Sequence, residues 1–380
     1  MPVKNKLTGR IGKFIKYTAF ATNIIAIIFL LLSLLAWTIL PSKAMLIAYL
    51  GLVFPFVLFV NVAYLILWIV TWRWRYALIE LIVITCCWVP ISTYFPIHRQ
   101  TKEAELPTNR FKILTYNVRG FNWQKGKKAL ENPILEYVVK TDADIVCFEE
   151  FVVSTKKGPN NIISEEELDD IMKAYPYKSI INTGKRKDRG SFKYGLACYS
   201  KFPILESFKL PIESTFNGSA LHTLEIQGKK VTLVVNHLES NGFTTEDKKK
   251  YKEFFKTRDK ESFDTMTATI QNRMSVAYQI REKQVNLIRK FIDEQDTDAT
   301  IICGDFNDTP ISYTYHRMKG DFVDSYANTG FGQGITYHEN LFWVRIDYIM
   351  HSLAFESYNC TVDKVKYSDH YPIWTYLSFK

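Results

Sequence analysis

Six stretches of this 380-residue chain place acidic, amide or imidazole side chains where an apolar run stops. Asn117 closes the run Ile113-Leu-Thr-Tyr, and Glu149 and Glu150 follow Asp144-Ile-Val-Cys-Phe. His237 ends Val234-Val-Asn, and Asp305, Asn307 and Asp308 follow Ile301-Ile-Cys-Gly. Asp347 sits inside Arg345-Ile-Asp-Tyr-Ile, and Asp369 and His370 precede Tyr371-Pro. Singly, each has an ordinary reading: a turn cap for Asn117, an Asx turn for Asp305 and Asn307, a surface pair for Asp369 and His370. Asp347 resists such a reading, because a lone buried carboxylate is costly unless paired. Together they point to chemistry. Oxygen donors of the Asp, Glu and Asn type suit Mg2+ or Mn2+. A histidine beside a carboxylate is oriented and charged by it. A metal, an imidazolium and a water-activating aspartate are what phosphate-ester hydrolysis requires. Cys86 and Cys87 lie in the apolar segment 76–97, while Cys147, Cys198, Cys303 and Cys360 are dispersed without C-x-x-C spacing, three of them in strand-like runs as small hydrophobes.

The elements that must carry these residues are short strands. Phe111–Val118, Ile145–Phe148, Tyr194–Ser200, His222–Ile226, Val231–Asn236, Thr300–Cys303, Ile346–Met350 and Ile373–Ser378 are β-type runs. Helical stretches intervene at Asn132–Lys140, Glu165–Ala174 and Gln279–Glu294. Strands mixed with helices, without regular βαβ alternation, predict an α+β layered sandwich whose strand ends hold the site. The glycines Gly330, Gly332 and Gly334 are not a phosphate loop, since no helix or Lys-Ser/Thr follows. They are expected to shape a mobile loop beside the site.

The segments TYNVRG (115–120), DIVCFEE (144–150), YGLACYSKFPI (194–204), NHLES (236–240), GDFND (304–308), RIDYI (345–349) and SDHYPI (368–373) resemble the endonuclease/exonuclease/phosphatase superfamily, in family order. The resemblance covers nearly all of residues 110–380 and implies the α/β (α+β) four-layer sandwich of the DNase I-like fold. It further implies that Glu150 binds the metal, with Asn117 and Asp369 near the same ion. Asp305 would activate or orient the attacking water and Asn307 would hold the scissile phosphate. His370, polarised by Asp347, would contact the phosphate, and His237 would be a second, substrate-contacting histidine and candidate general acid. Where the family often has Gln, this chain has Glu149, read as solvated or as tuning the metal. Tyr194 is a weak candidate for the substrate-contacting tyrosine of nuclease members.

The charge is unevenly spread. Nine of the 48 basic residues but only Glu80 of the 39 acidic ones lie in the first hundred positions, leaving 39 against 38 beyond. The net charge of +9 is therefore no argument for nucleic-acid binding by the downstream domain. The basic residues border three apolar segments, about 17–40, 45–72 and 76–97, each exceeding the roughly 20 residues a membrane helix needs. Residues 1–97 are thus expected to form a three-span anchor, 98–109 a linker and 110–380 the catalytic domain. Five basic residues precede the first segment, and Arg73 and Arg75 follow the second. The positive-inside bias places the N-terminus in the cytoplasm and the catalytic domain on the extracytoplasmic face of this multi-pass protein. Glu80 is expected to snorkel at the interface.

Tethering raises the effective concentration of a substrate held in the lipid bilayer. The preferred substrate is accordingly a lipid-linked phosphate or phospholipid; the alternatives are a surface nuclease acting on DNA or RNA and, less favoured, an inactive binding protein. No obligate protein partner is implied. The Lys-rich insertion 241–275, with Lys248 to Lys250, Tyr251, Phe254 and Phe255, reads as a solvated helix, a membrane-surface contact or a phosphate-backbone contact.

Overall fold

The computed structural model describes residues 2–123, 131–156, 163–183, 192–214, 216–244, 246, 247, 249, 259–339 and 343–380. Most of the Lys/aromatic stretch 248–258 lies outside the described residues, and with it the choice among its three readings. The chain divides into two compact units, Met1–Thr93 with 311–313, and Tyr94–Pro310 with Thr314–Lys380.

In the first unit, Gly12–Trp37 is one helix of 26 residues, long and apolar enough to cross a membrane. The second and third apolar segments are not single straight helices. Met45–Leu52 and Phe54–Val70 meet at 64°, and Trp74–Cys86 and Trp88–Tyr94 at 62°. The cause is in the sequence: Pro55 and Pro90 stand in the first turn of the second helix of each pair. There a proline lacks no bond its own helix needs, but blocks continuation from the helix before. Glu80 does not snorkel. It is buried, its Oε2 accepting from Asn23 Nδ2 at 2.7 Å, while Asn23 Oδ1 accepts from Trp68 Nε1 at 2.7 Å. Side chains from other helices thus take over the solvation that an interface would have supplied.

The second unit is an α/β sandwich. Its strands are β1 (Phe111–Asn117), β2 (Ile145–Ser154), β3 (Tyr177–Asn182), β4 (Phe192–Ser200), β5 (Ile204–Lys209), β6 (Gly218–Ile226), β7 (Lys229–His237), β8 (Ala299–Asp305), β9 (Val323–Asp324), β10 (Asp347–His351), β11 (Phe355–Val362) and β12 (Ile373–Phe379). One sheet has the order β11-β12-β1-β2-β4-β3 and the other β5-β6-β7-β8-β10-β9. Each is mixed, with a central parallel pair, β1 with β2 and β7 with β8, flanked by antiparallel neighbours. Alternate residues of both sheets, among them Ile113, Cys147, Leu233, Val235, Ile301 and Cys303, form one buried cluster. Leu114, Tyr116, Val146 and Phe148, one position out of phase, pack with Ile134, Leu135 and Val138 of the helix Pro133–Thr141. Period-two alternation thus builds two apolar layers from single strands.

Candidate active site

Alternation also builds the site. In β1 the inward residues Phe111, Ile113 and Thr115 are followed by Asn117; in β2, Ile145 and Cys147 by Glu149. In β7, Val231, Leu233 and Val235 lead to His237; in β8, Ala299, Ile301 and Cys303 lead to Asp305. β10 runs the other way and begins with Asp347. Register aligns Asn117 with Glu149, His237 with Asp305, and Asp305 with Asp347. The inter-sheet core therefore changes from apolar to polar along one edge, where both parallel pairs end. Gly304 lets β8 approach β7 there: its φ is +113°, and a Cβ would lie 2.1 Å from the Asn236 carbonyl oxygen.

Asp305, Asp347 and His370 form the centre, their ligand atoms all within 4.8 Å of one another. His370 Nδ1 lies 2.9 Å from Asp347 Oδ2, and its Nε2 is 3.7 Å from Asp305 Oδ2. Burial alone would strip the proton from His370, but Asp347 and Asp305 more than offset it and hold the imidazole protonated well above its usual range. Asp305 is pushed up to about 8, first by burial and then by repulsion from Asp347. Its two oxygens are fixed separately. Oδ1 accepts from the Asn307 backbone N–H at 2.8 Å and Oδ2 from Asn117 Nδ2 at 3.1 Å. Asn307 itself is left-handed (φ +53°) and donates from Nδ2 to the Leu238 carbonyl at 3.0 Å.

Glu149 is not solvated. It is fully buried, its Oε1 accepts from the Thr115 hydroxyl at 2.6 Å, and burial raises it well above the carboxylate range, with Asp347 and Asp305 adding to the effect. It is a neutral acid in the core. Strict alternation would then aim Glu150 away from the site. A bulge prevents this: the β2–β4 register shifts between Phe148 and Phe151, and Glu150 takes φ +48°. Its carboxylate accepts from Asn117 Nδ2 at 3.3 Å and keeps 30% of its side chain exposed.

His237 lies 3.8 Å from both Glu150 Oε1 and Asp305 Oδ2. Burial, and then His370, lower its pKa to about 3, so its ring is neutral. Its Nε2 accepts from Asn217 Nδ2 at 2.9 Å, an amide that also donates to the Leu238 carbonyl at 2.8 Å. His237 is thus placed beside Glu150 and Asp305 as a neutral ring held by Asn217.

The oxygen donors fit a divalent cation. Glu150, Asp305, Asp347 and Asp369 face one another, and Glu150 is raised by burial and by Asp369, a repulsion that a hard cation relieves. Glu150 and Asp369 would hold it in the arrangement the family resemblance implies. Asn117, expected as a third ligand, turns its amide nitrogen to the carboxylates while Oδ1 accepts from the Arg119 N–H at 3.2 Å. In this arrangement it orders the carboxylates.

The motifs assigned no role to several residues of the site. Ser368 ties the two ends of the site together, its hydroxyl donating to the Asn117 carbonyl at 2.8 Å. Thr336 Oγ1 accepts from the N–H groups of Ile346 (3.0 Å) and Asp347 (3.1 Å), which fixes the start of β10. Tyr337 meets the His370 ring edge-on at 5.1 Å, and His338 stacks on Tyr371 at 4.0 Å. Thr336, Tyr337 and His338 come from the segment that follows Gly330–Gly334, while the glycines themselves run beside Pro96–His98. Tyr194 is half-buried, and Glu150 helps burial raise its hydroxyl pKa. Arg119 to Trp123 all take positive φ, one left-handed turn that costs about 1–2 kcal/mol for each residue bearing a Cβ.

The family model for the Endonuclease/Exonuclease/phosphatase family matches residues 114–370, more than half of the chain, and the chain belongs to that family. It is a hydrolase acting on phosphoester bonds. A second model, a domain of unknown function (DUF8431), matches residues 13–94. Among solved structures, the endonuclease/exonuclease/phosphatase from Beutenbergia cavernae DSM 12333 is similar at 15% identity, covering 71% of this chain and 72% of that one with a TM-score of 0.48. A family protein from Leptotrichia buccalis C-1013-b has 17% identity, 71% and 100% coverage and a TM-score of 0.49. The human Nocturnin catalytic domain with bound sulfate anion has 14% identity, 72% and 95% coverage and a TM-score of 0.47. At these identities the likeness concerns the fold alone. No curated protein matches the chain.

Proposed function

We propose that this hydrolase is a membrane-anchored, Mg2+- or Mn2+-dependent enzyme whose substrate is a lipid-linked phosphate or phospholipid. The observation that carries the chemistry is the Asp347–His370–Asp305 cluster facing the carboxylates of Glu150 and Asp369. A divalent ion held by Glu150 and Asp369 would neutralise charge developing on the phosphoryl oxygens. With its carboxyl lowered from about 8 by the charge of a bound cation, Asp305, held by Asn307 and Asn117, would take the proton of the attacking water as the phosphorus–oxygen ester bond breaks, the departing oxygen gaining its proton from solvent. His370 stays an imidazolium beside Asp347 and donates from Nε2 to a non-bridging oxygen. Asn307 directs its amide to the scissile phosphate, and His237 lines the same face as a neutral substrate contact.

Three features support a lipid substrate. The anchor would comprise the helix Gly12–Trp37 and the two bent pairs, each pair acting as one broken span, with the N-terminus cytoplasmic and the catalytic domain outside. The catalytic unit is near neutral, unlike a nucleic-acid binder. It also leaves Ile97 (78%), Phe331 (73%) and Trp343 (60%) exposed. Ile97 pairs with Phe331, and Trp343 joins the same loop through Gln333, giving an apolar patch suited to a membrane surface.

The test is a hydrolysis screen of the full-length protein with Mg2+ or Mn2+, comparing plasmid DNA, bis-p-nitrophenyl phosphate, a polyprenyl pyrophosphate and phospholipid vesicles. Lipid-phosphate cleavage, lost in Glu150→Ala and His370→Ala, is expected. Cleavage of DNA alone would overturn the substrate, and activity surviving both substitutions would overturn the site. A phosphatase fused near residue 105 should be active if the catalytic domain lies outside.

A further inference from the structure

The left-handed turn after Asn117 is bought for a purpose that the reaction above does not explain. Four of its five residues, Arg119, Phe121, Asn122 and Trp123, carry a Cβ, and strain of this kind persists only where the surroundings over-determine it. Here Phe121 is buried against Phe148 and Phe151, and its carbonyl accepts from Asn132 Nδ2 at 3.3 Å. The Arg119 N–H is anchored to Asn117 Oδ1. The product of this clamp is the position of one guanidinium. Arg119 Nη1 reaches Glu339 Oε1 at 3.0 Å and Asp369 Oδ2 at 3.6 Å, with about a third of the side chain (34%) still exposed.

That position is the mouth of the site. Asp369 adjoins His370, and Glu339 follows Tyr337 and His338, which pack on His370 and Tyr371. In the mechanism proposed above, Asn307 and His370 each take one non-bridging oxygen of the bound phosphate. A diester has only those two and a single charge. A terminal phosphate has a third oxygen and close to a second charge at neutral pH. A planar, permanently charged fork suits it, and Glu339 is a carboxylate holding that fork in the meantime.

We propose that Arg119 is a specificity-determining residue that selects a terminal phosphate, a monoester or the end of a pyrophosphate, over a diester. On binding, the phosphate replaces Glu339 as the partner of Arg119. The inference rests on the reading of this site as a phosphoesterase, and it narrows the substrate class.

Steady-state kinetics of the full-length protein on p-nitrophenyl phosphate and bis-p-nitrophenyl phosphate test it, beside titration of inorganic phosphate into metal-free protein. In Arg119→Ala the monoester-to-diester ratio of kcat/KM should fall at least tenfold, chiefly through the monoester KM, with partial recovery in Arg119→Lys. Phosphate affinity should fall at least tenfold in parallel. Glu339→Gln should do the opposite, lowering the monoester KM, and it leaves the strained turn untouched should Arg119→Ala fold poorly. Equal losses on both substrates, or unchanged phosphate affinity in Arg119→Ala, would overturn the assignment. If wild type cleaves neither substrate, the phosphoesterase reading fails, while the phosphate titration still decides the role of Arg119.

Discussion

Replacing Asp347 by Asn removes one charge and almost no volume, and it isolates what that charge does. The amide oxygen can still accept from His370 Nδ1, so the 2.9 Å contact and the ring orientation survive. The charge attraction does not. At 2.9 Å between two buried groups, and an effective dielectric of about 20, it is worth about 6 kcal/mol. This opposes the burial that would otherwise discharge the imidazole. In Asp347→Asn the ring therefore becomes neutral near pH 7 and no longer donates to the phosphate. A loss of about 100- to 1,000-fold in kcat is expected, the range for removing one preorganised hydrogen-bond donor to the charge that develops in the transition state. The pH–rate profile is the sharper readout. In wild type the high-pH decline lies well above the ordinary histidine range; in Asp347→Asn activity should decline as pH rises from the acid side. Melting temperature should change little. An Asp347→Asn profile superimposable on wild type after scaling would refute the assignment of His370 as an imidazolium held by Asp347.

Glu149→Gln should be nearly neutral, within about 1 kcal/mol, because Gln keeps the acceptor for Thr115 and replaces a side chain already uncharged; Glu149→Ala should cost about 2–3 kcal/mol by leaving that hydroxyl and a cavity unfilled, read by thermal denaturation. Gly304→Ala should cost at least about 3 kcal/mol and displace Asp305, since the φ of +113° and the 2.1 Å approach to Asn236 both forbid a Cβ; a wild-type melting temperature would contradict this. Without metal, Asp305 should lower stability as pH rises from about 4 to about 8, keeping a proton that the unfolded chain has released, and His370 should add to the fall above about 6.5. Below 6.5 the neutral His237 acts in the other direction, since the unfolded chain then binds a proton that the folded chain refuses down to about pH 3. Melting curves across pH in a chelator check this, and Asp305→Asn should flatten the alkaline limb. Mg2+ or Mn2+ at a hundred times its dissociation constant should add about 2.7 kcal/mol, an increment abolished in Glu150→Gln.

The site was legible where strand periodicity carried it. Asn117, His237, Asp305 and Asp347 end or begin strands whose alternation was already visible, and all eight anticipated strands are present. The misses have local causes. β3, β5 and β11 have half-exposed patterns without a continuous apolar run, so they gave no clear period. Alternation, applied strictly, buries Glu149, as observed, but turns Glu150 outward; the bulge that brings Glu150 back to the site leaves no mark in the residue types. Asn217, Thr336, Ser368 and Glu339 are ordinary polar residues in connecting segments, whose meaning depends on distant chain partners. The bends in the helical unit were legible in Pro55 and Pro90, yet length and apolarity alone concealed them.

The bonds that close the site are long in sequence: Asn117 to Asp305 spans 188 positions, and Ser368 back to Asn117 spans 251. Ser368, Asp369 and His370 stand on the approach to β12, after every other described strand of the two sheets. A chain still on the ribosome thus has both parallel strand pairs before it has a complete active site. The site is complete only once β12, the last of the described strands, has paired with β1, so hydrolysis depends on the pairing of the two strands farthest apart along the chain.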